Sequence, residues 1–210
     1  MKIAFSGAGY IAHIHAQAAQ NQPNVELVAV VEKFSDKSEA FAEKFGVKCC
    51  YTSMEGLLEQ GSVDALVICT PNFLHAPQAI AALERGVHVM VEKPMAMNAA
   101  EAEQMCEAAE QSRATLMVAH CWRFDQDVLW LKEQAGRLGE IIRTKGYGVH
   151  THWGPSGWFT QKELAGGGAL AIWASMRWIR LASYSATRSL FRYMRRSAHT
   201  TKISMWTIRA

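Results

Sequence analysis

The sequence predicts an α/β fold built on a parallel, doubly wound sheet, and three observations predict it. Over the first 120 residues, short runs rich in β-branched residues alternate with segments of helical composition. Those runs are apolar nearly throughout, as in strands covered on both faces. A glycine-rich turn directly follows the first run and opens a helix.

The elements follow in order. "KIAFSG" (2–7) predicts the first strand and 10–21 the helix after it. "VELVAVVE" (25–32), helix 36–45, "VKCCYT" (47–52) and helix 53–60 continue the alternation. "DALVICT" (64–70), a helix over about 75–85, and "VHVMVE" (87–92) come next. The stretch 99–112, "AAEAEQMCEAAEQS", consists of strong helix formers with Asn98 as its cap, and "TLMVAH" (115–120) predicts a sixth strand. Strands apolar nearly throughout call for helices on both faces, and crossovers between parallel strands wind right-handed.

Past residue 121 the pattern changes. "FDQDVLWLKEQAGRLG" (124–139) predicts an amphipathic helix ending at a glycine. "EIIRTKGYGVHTHW" (140–153) alternates like a half-exposed strand, and "GPSGWF" reads as a loop. A domain boundary is expected near 121–124, giving a first domain over 1–122, the start of an α+β domain over 123–171, and a separate tail over 172–210.

At 210 residues, with 50% apolar and 20% charged side chains, the chain can bury a sizeable core. Its net charge of +3 conceals an asymmetry. From residue 172 onward there are eight Lys or Arg and no Asp or Glu, against 14 basic and 19 acidic residues before it. The five cysteines (Cys49, Cys50, Cys69, Cys106 and Cys121) lack paired metal-ligand spacing, so reduced thiols, most of them in the core, and no metal site are expected. Neither a signal peptide nor an apolar run of membrane-spanning length stands out, and a cytoplasmic location is the expectation.

Three stretches carry chemistry. In "GAGYIA" (7–12), Gly7 permits a tight turn, Gly9 lets the backbone approach a pyrophosphate, and small Ala12 permits close helix–strand packing. Tyr10 and Ile11 open the helix, whose N–H groups and positive potential suit phosphates. Glu32 ends the second strand 20 residues after Ala12, where an acid would accept hydrogen bonds from the adenosine ribose. Together these predict dinucleotide binding, and Glu32 favours NAD over NADP because it would repel a 2′-phosphate. Lys33 could pair with that phosphate or be a solvated surface charge.

The second stretch is "ICTPNFLHA" (68–76), at the carboxyl end of the fourth strand, where ligands of open α/β sheets bind. Thr70, Pro71 and Asn72 are expected to line the cofactor groove, although Pro and Asn also serve a plain turn. His75 alone reads more readily as a structural or surface histidine. The third stretch is "VMVEKPM" (89–95), which delivers Glu92 and Lys93 to the same sheet edge through a Lys–Pro bond that is a candidate for the cis form. A lysine desolvated beside nicotinamide and substrate can move a hydroxyl proton during hydride transfer. A surface ion pair is the competing reading of the tripeptide.

With these residues in view, the chain resembles the Gfo/Idh/MocA family, the group of glucose–fructose oxidoreductase and inositol 2-dehydrogenase. "GAGYIAHIHAQAA", "VELVAVVEKF", "DALVICTPNFLHAPQAIAALERGVHVMVEKPMA", "HCWRF" and "ELAGGGAL" carry the resemblance, which covers residues 1–171. It implies a Rossmann domain, a following α+β domain with a large open sheet, an NAD(P) cofactor, and sugar or cyclitol substrates. It implies a catalytic Lys93, with Gly7, Gly9, Glu32, Thr70, Asn72, His75 and Glu92 around the cofactor. Arg123, in "HCWRF", falls at a family position near the nicotinamide. His150, His152, Trp153 and Trp158 would lie on the substrate side, where aromatic faces suit sugars and equally suit packing. Homo-oligomers are common in such a family.

After "GGGAL" the resemblance stops. The family continues with an Asp, a short spacer and a His on a helix that completes the active site, whereas this chain reads "AIWASMRWIRLASYSATRSLF". Taken at face value, Arg177, Arg180, Arg188, Arg192 and Arg195 recur near helical spacing among Trp173, Met176, Ile179, Leu190 and Met194, as in a basic amphipathic helix that binds membrane or nucleic acid. That reading would make the chain a non-catalytic nucleotide-binding protein. Alternatively, the tail is family sequence read one base out of frame. The single codons of Met and Trp make this checkable, and a shifted reading permits a family-like string with the His and the acidic residues restored. The expectation is a frameshift near Ala171, with cofactor bound, catalysis impaired, and neither membrane nor specific nucleic-acid binding.

Overall fold

A computed structural model of the chain describes residues 1–135, 137 and 156–167. The expected strand over 140–153 and the tail over 172–210 lie outside them. The chain divides into one unit of Met1–Ala119 with Ser156–Gly168, and a second of His120–Pro155 with Ala169–Ala210.

The first unit is a six-stranded, wholly parallel sheet: β1 (Lys2–Ser6), β2 (Glu26–Val31), β3 (Cys49–Tyr51), β4 (Ala65–Ile68), β5 (His88–Val91) and β6 (Leu116–Val118). The order is β3-β2-β1-β4-β5-β6. Each strand falls inside the run that predicted it and is shorter by a residue or more, because the flanking residues turn out of the ladder.

Five helices cross over: α1 (Tyr10–Gln20), α2 (Ser35–Phe45), α3 (Met54–Gln60), α4 (His75–Leu83) and α5 (Ala99–Ser112). The Asn98 cap is present: its side chain accepts from the Glu101 N–H at 3.0 Å and donates to the Glu101 carboxylate at 2.8 Å.

Two-residue periodicity sorts the strand side chains onto two faces, except in β2, where a register shift opposite Ile3 and Ala4 puts Leu27 and Val30 on the same face. Ile3, Phe5, Leu27, Val30 and Val67 pack with Ala12, Ala16, Phe41 and Phe45 under α1 and α2. Ala4, Ala29, Val31, Leu66, Ile68, Val89 and Val91 pack with Leu57, Ala79, Leu83 and Met105 under α3, α4 and α5. Phe5 and Phe41 are fully buried with ring centroids 5.4 Å apart, and burying each contributes roughly 2–3 kcal/mol. The all-apolar strands that predicted a two-faced sheet are thus explained.

After β6 the first unit resumes with a 3-10 turn (Gly157–Thr160) and α7 (Lys162–Ala165), the stretch begun as a loop in the sequence reading. In the second unit, a 3-10 turn (Cys121–Phe124) precedes α6 (Gln126–Ala135). The helix expected from 124 begins later because Asp125 is extended, and its carboxylate accepts from the Asp127 N–H at 3.0 Å, an N-capping bond.

Candidate active site

Register places the chemistry. Ser6 pairs with Val31 and with Ile68, and Ile68 pairs with Val91. The next residues, Gly7, Glu32, Cys69 and Glu92, therefore stand in one row at the carboxyl edge of the sheet. Strand β1 lies between β2 and β4, so the chain reverses its winding direction there and leaves a crevice above that row.

Gly7 is required by the fold itself. Its φ is +88°, and a Cβ there would lie 2.8 Å from the carbonyl oxygen of Cys69. Gly9 is different. Its φ of −78° suits any residue, and a Cβ added there would meet nothing within 4 Å. Gly9 is also the N-cap of α1, with no side-chain cap and no acid in the first turn. The protein thus leaves the positive end of α1 open, with the backbone bare above it, as a pyrophosphate requires. Tyr10 and Ile11 supply backbone N–H groups at this end, and the Tyr10 side chain is exposed.

The half-buried Glu32 accepts from the Ala8 N–H at 2.9 Å and from the Phe34 N–H at 3.3 Å. Two backbone donors fix the carboxylate beside the glycine turn, with lone pairs left over for ribose hydroxyls. Lys33 is exposed.

At the end of β4, Thr70 and Pro71 are half-buried, and the Thr70 hydroxyl donates to Gln78 Oε1 at 3.1 Å. The Ser6 hydroxyl donates to the same oxygen at 2.9 Å, so Gln78 ties β1 to β4. Asn72 is only 2% exposed, and its amide donates to the Ala165 carbonyl at 2.8 Å. His75 is buried, with Nδ1 2.8 Å from the Pro94 carbonyl and Nε2 2.9 Å from the Thr70 carbonyl. Burial holds its pKa below the ordinary 6.5, and Lys93 adds to this; the two carbonyls and Glu92 oppose it.

At the end of β5 the Lys93–Pro94 bond is cis. The buried Glu92 carboxylate divides its oxygens: Oε1 meets His15 Nε2 at 2.8 Å, and Oε2 accepts from the Lys93 N–H at 3.0 Å. Glu92 therefore links α1 to the backbone of half-buried Lys93. Burial, then Glu92, pushes the pKa of the Cys69 thiol far up, which disfavours its thiolate.

Of the predicted site residues, Gly7, Gly9, Tyr10, Ile11, Glu32, Lys33, Thr70, Pro71, Asn72, His75, Glu92 and Lys93 all lie at or just beyond this edge. Arg123 is exposed in the 3-10 turn of the second unit. His150, His152 and Trp153 fall outside the described residues. Sequence reasoning missed His15 and Gln78. Gln78 shares a helix face with His75, three residues earlier, and that spacing was the available signal. His15 had none, since its partner lies 77 residues away.

Among the described residues no cluster of three or more His, Cys, Asp or Glu could hold a metal ion, and no helix is long and apolar enough to cross a membrane.

Residues 1–120 match the family model GFO_IDH_MocA, described as an oxidoreductase family with an NAD-binding Rossmann fold. The chain is 37% identical over 175 residues to D-glucoside 3-dehydrogenase of Escherichia coli, covering 81% of this chain and 50% of that protein. It is 30% identical over 142 residues to myo-inositol 2-dehydrogenase of Thermotoga maritima, covering 67% of this chain and 42% of that one. Among solved structures, the WlbA dehydrogenase of Bordetella pertussis in complex with NADH and UDP-GlcNAcA superposes with a TM-score of 0.62 at 30% identity, over 68% of this chain and 41% of its own. The chain spans about half the length of the curated relatives it matches.

Proposed function

Given that the chain belongs to the Gfo/Idh/MocA oxidoreductase family with its NAD-binding Rossmann fold, we propose that its first unit holds a nicotinamide dinucleotide for hydride transfer at a secondary alcohol of a sugar or cyclitol. The observation that carries the cofactor reading is Gly9: a helix N-terminus without a cap, under a glycine that the fold itself does not need. The sugar and cyclitol dehydrogenases among its relatives support the substrate class.

Bound nicotinamide supplies the hydride donor or acceptor. The chain's residues do the rest. The N–H groups of Tyr10 and Ile11 would hold the pyrophosphate, and Glu32 would accept from the adenosine ribose hydroxyls. Because two backbone donors hold the Glu32 side chain in place beside the turn, a 2′-phosphate would meet a carboxylate there, and NAD is the preferred cofactor. Thr70 and Pro71 form the groove wall at the end of β4. Lys93, at the end of β5, would accept the alcohol's hydroxyl proton in the oxidation direction, while the carbon-bound hydrogen would leave as hydride to the bound nicotinamide. Glu92 and His15 keep Lys93 at the crevice through its backbone.

The residues after 171 do not supply the family's helical Asp and His, so we read this chain as a cofactor binder with impaired turnover. Titration with NADH and NADPH, followed by nicotinamide fluorescence, tests the reading. Micromolar NADH binding is expected, and its absence would refute the proposal. Sequencing the coding DNA across residues 165–210 tests the frameshift; an intact frame throughout would overturn it.

A further inference from the structure

We propose that Asn72 is a positioning residue: its buried amide latches the segment 161–167 onto the carboxyl end of β4 and so sets where the substrate-side stretch of the chain stands. The inference rests on the structure of the first unit and holds whichever nicotinamide cofactor is used.

The contact joins residues 93 apart in the chain, and both ends are buried, Asn72 at 2% exposure and Ala165 at 1%. Ala165 is the last residue of α7, a helix of four residues whose terminal carbonyls find few partners within it. A buried carbonyl left without a donor is costly, and the Asn72 Nδ2 group supplies that donor at 2.8 Å. Immediately afterwards Gly166 turns with φ +81°, and a Cβ there would lie 2.9 Å from Met97 Sδ. Segment 161–167 is therefore fastened at two points, by a hydrogen bond to the β4 end and by close packing on the residues after β5.

The held segment is continuous with the 3-10 turn carrying Trp158 and Phe159, whose rings stack at 3.7 Å. The Gln161 N–H donates to the Trp158 carbonyl, and Leu164 and Ala165 both donate to the Gln161 carbonyl. Holding Ala165 thus holds this turn. With its amide buried and committed to Ala165, Asn72 acts through the segment it holds.

Hydrogen exchange of the full chain tests the latch. Asn72→Asp keeps the side chain's size and removes its donor. At neutral pH, exchange over 161–167 should rise about tenfold with the rest of the unit unchanged. Lowering the pH protonates the introduced carboxyl, restores a donor, and should slow that exchange relative to the parent at the same pH. A role in packing alone predicts parental exchange at every pH and would overturn the proposal. So would a tenfold loss of NADH affinity with exchange over 161–167 unchanged, which would mark a cofactor ligand. If the variant does not fold, NMR of the parent decides: the Asn72 Nδ2 protons should exchange slowly, and exchange at the solvent rate would overturn the latch.

Discussion

The carboxylate of Glu32 accepts a hydrogen bond from the backbone N–H of Ala8 at 2.9 Å, fastening the end of β2 to the glycine turn after β1. One side chain thereby braces the glycine turn and, in the proposed reading, is the acceptor for the ribose. Glu32→Gln loses the charge and turns an amide toward backbone donors. NADH affinity should fall about 10- to 100-fold in a fluorescence titration, with NADPH affected less, since charge-assisted bonds contribute about 1.5–3 kcal/mol. Equal losses for both cofactors would remove Glu32 as the discriminating group.

The two glycines of the turn should separate stability from binding. Gly7→Ala places a Cβ at positive φ against backbone 2.8 Å away, and should cost about 2–4 kcal/mol in chemical denaturation. Gly9→Ala enters open space at ordinary φ and should cost under about 1 kcal/mol, while weakening NADH binding at least as much as any other single change in the turn.

Lys93 is assigned the proton and no share of cofactor affinity. The chain as it stands should turn over sugars and cyclitols about 10²- to 10⁴-fold more slowly than a version with the reading frame restored after residue 171. In that restored protein, Lys93→Met should abolish the remaining rate in a steady-state assay of NADH formation.

His75 predicts a pH dependence of stability. Its folded pKa lies below the ordinary 6.5, so as pH falls through that value the unfolded chain takes up a proton that the folded chain resists. Stability should decline below about pH 6.5, with a slope from this residue of at most about 1.4 kcal/mol per pH unit. Denaturation at pH 7 and pH 5.5 should show the decline shrinking in His75→Asn.

The thiols should fall into two classes. Contrary to the expectation of mostly core thiols, Cys49, Cys50 and Cys121 are exposed, and Cys69 and Cys106 are partly buried. Burial raises the pKa of Cys69, with Glu92 adding to it, and burial likewise raises that of Cys106, with Glu110, Glu103 and Glu107 adding. Alkylation at pH 8 followed by peptide mapping should modify the first three rapidly and the other two slowly, all five reacting alike in denaturant.

Much of this was legible in the chain. The alternation of apolar runs and helical segments gave six strands and five helices in order, and Asn98 marked a helix start that the structure reproduces. The roles available to "GAGYIA" and Glu32 follow from local geometry: a turn after a strand and an acid at the end of the next one. The contacts that organise the edge were not legible. His15 meets Glu92 across 77 residues, Gln78 gathers the hydroxyls of Ser6 and Thr70, and Asn72 reaches Ala165 across 93.

By itself the sequence determined the parallel sheet, the dinucleotide turn and the residues brought to the carboxyl edge, because periodicity and turn chemistry act between neighbours in the chain. Only the tertiary structure decided that the turn requires Gly7 while Gly9 stands at an ordinary φ with open space above it, that Glu92 is committed to His15 and the Lys93 backbone, and that the Asn72 amide bonds to the end of α7. Those outcomes depend on which carbonyl or carboxylate a fixed strand register brings within 3 Å, and no local preference encodes that distance.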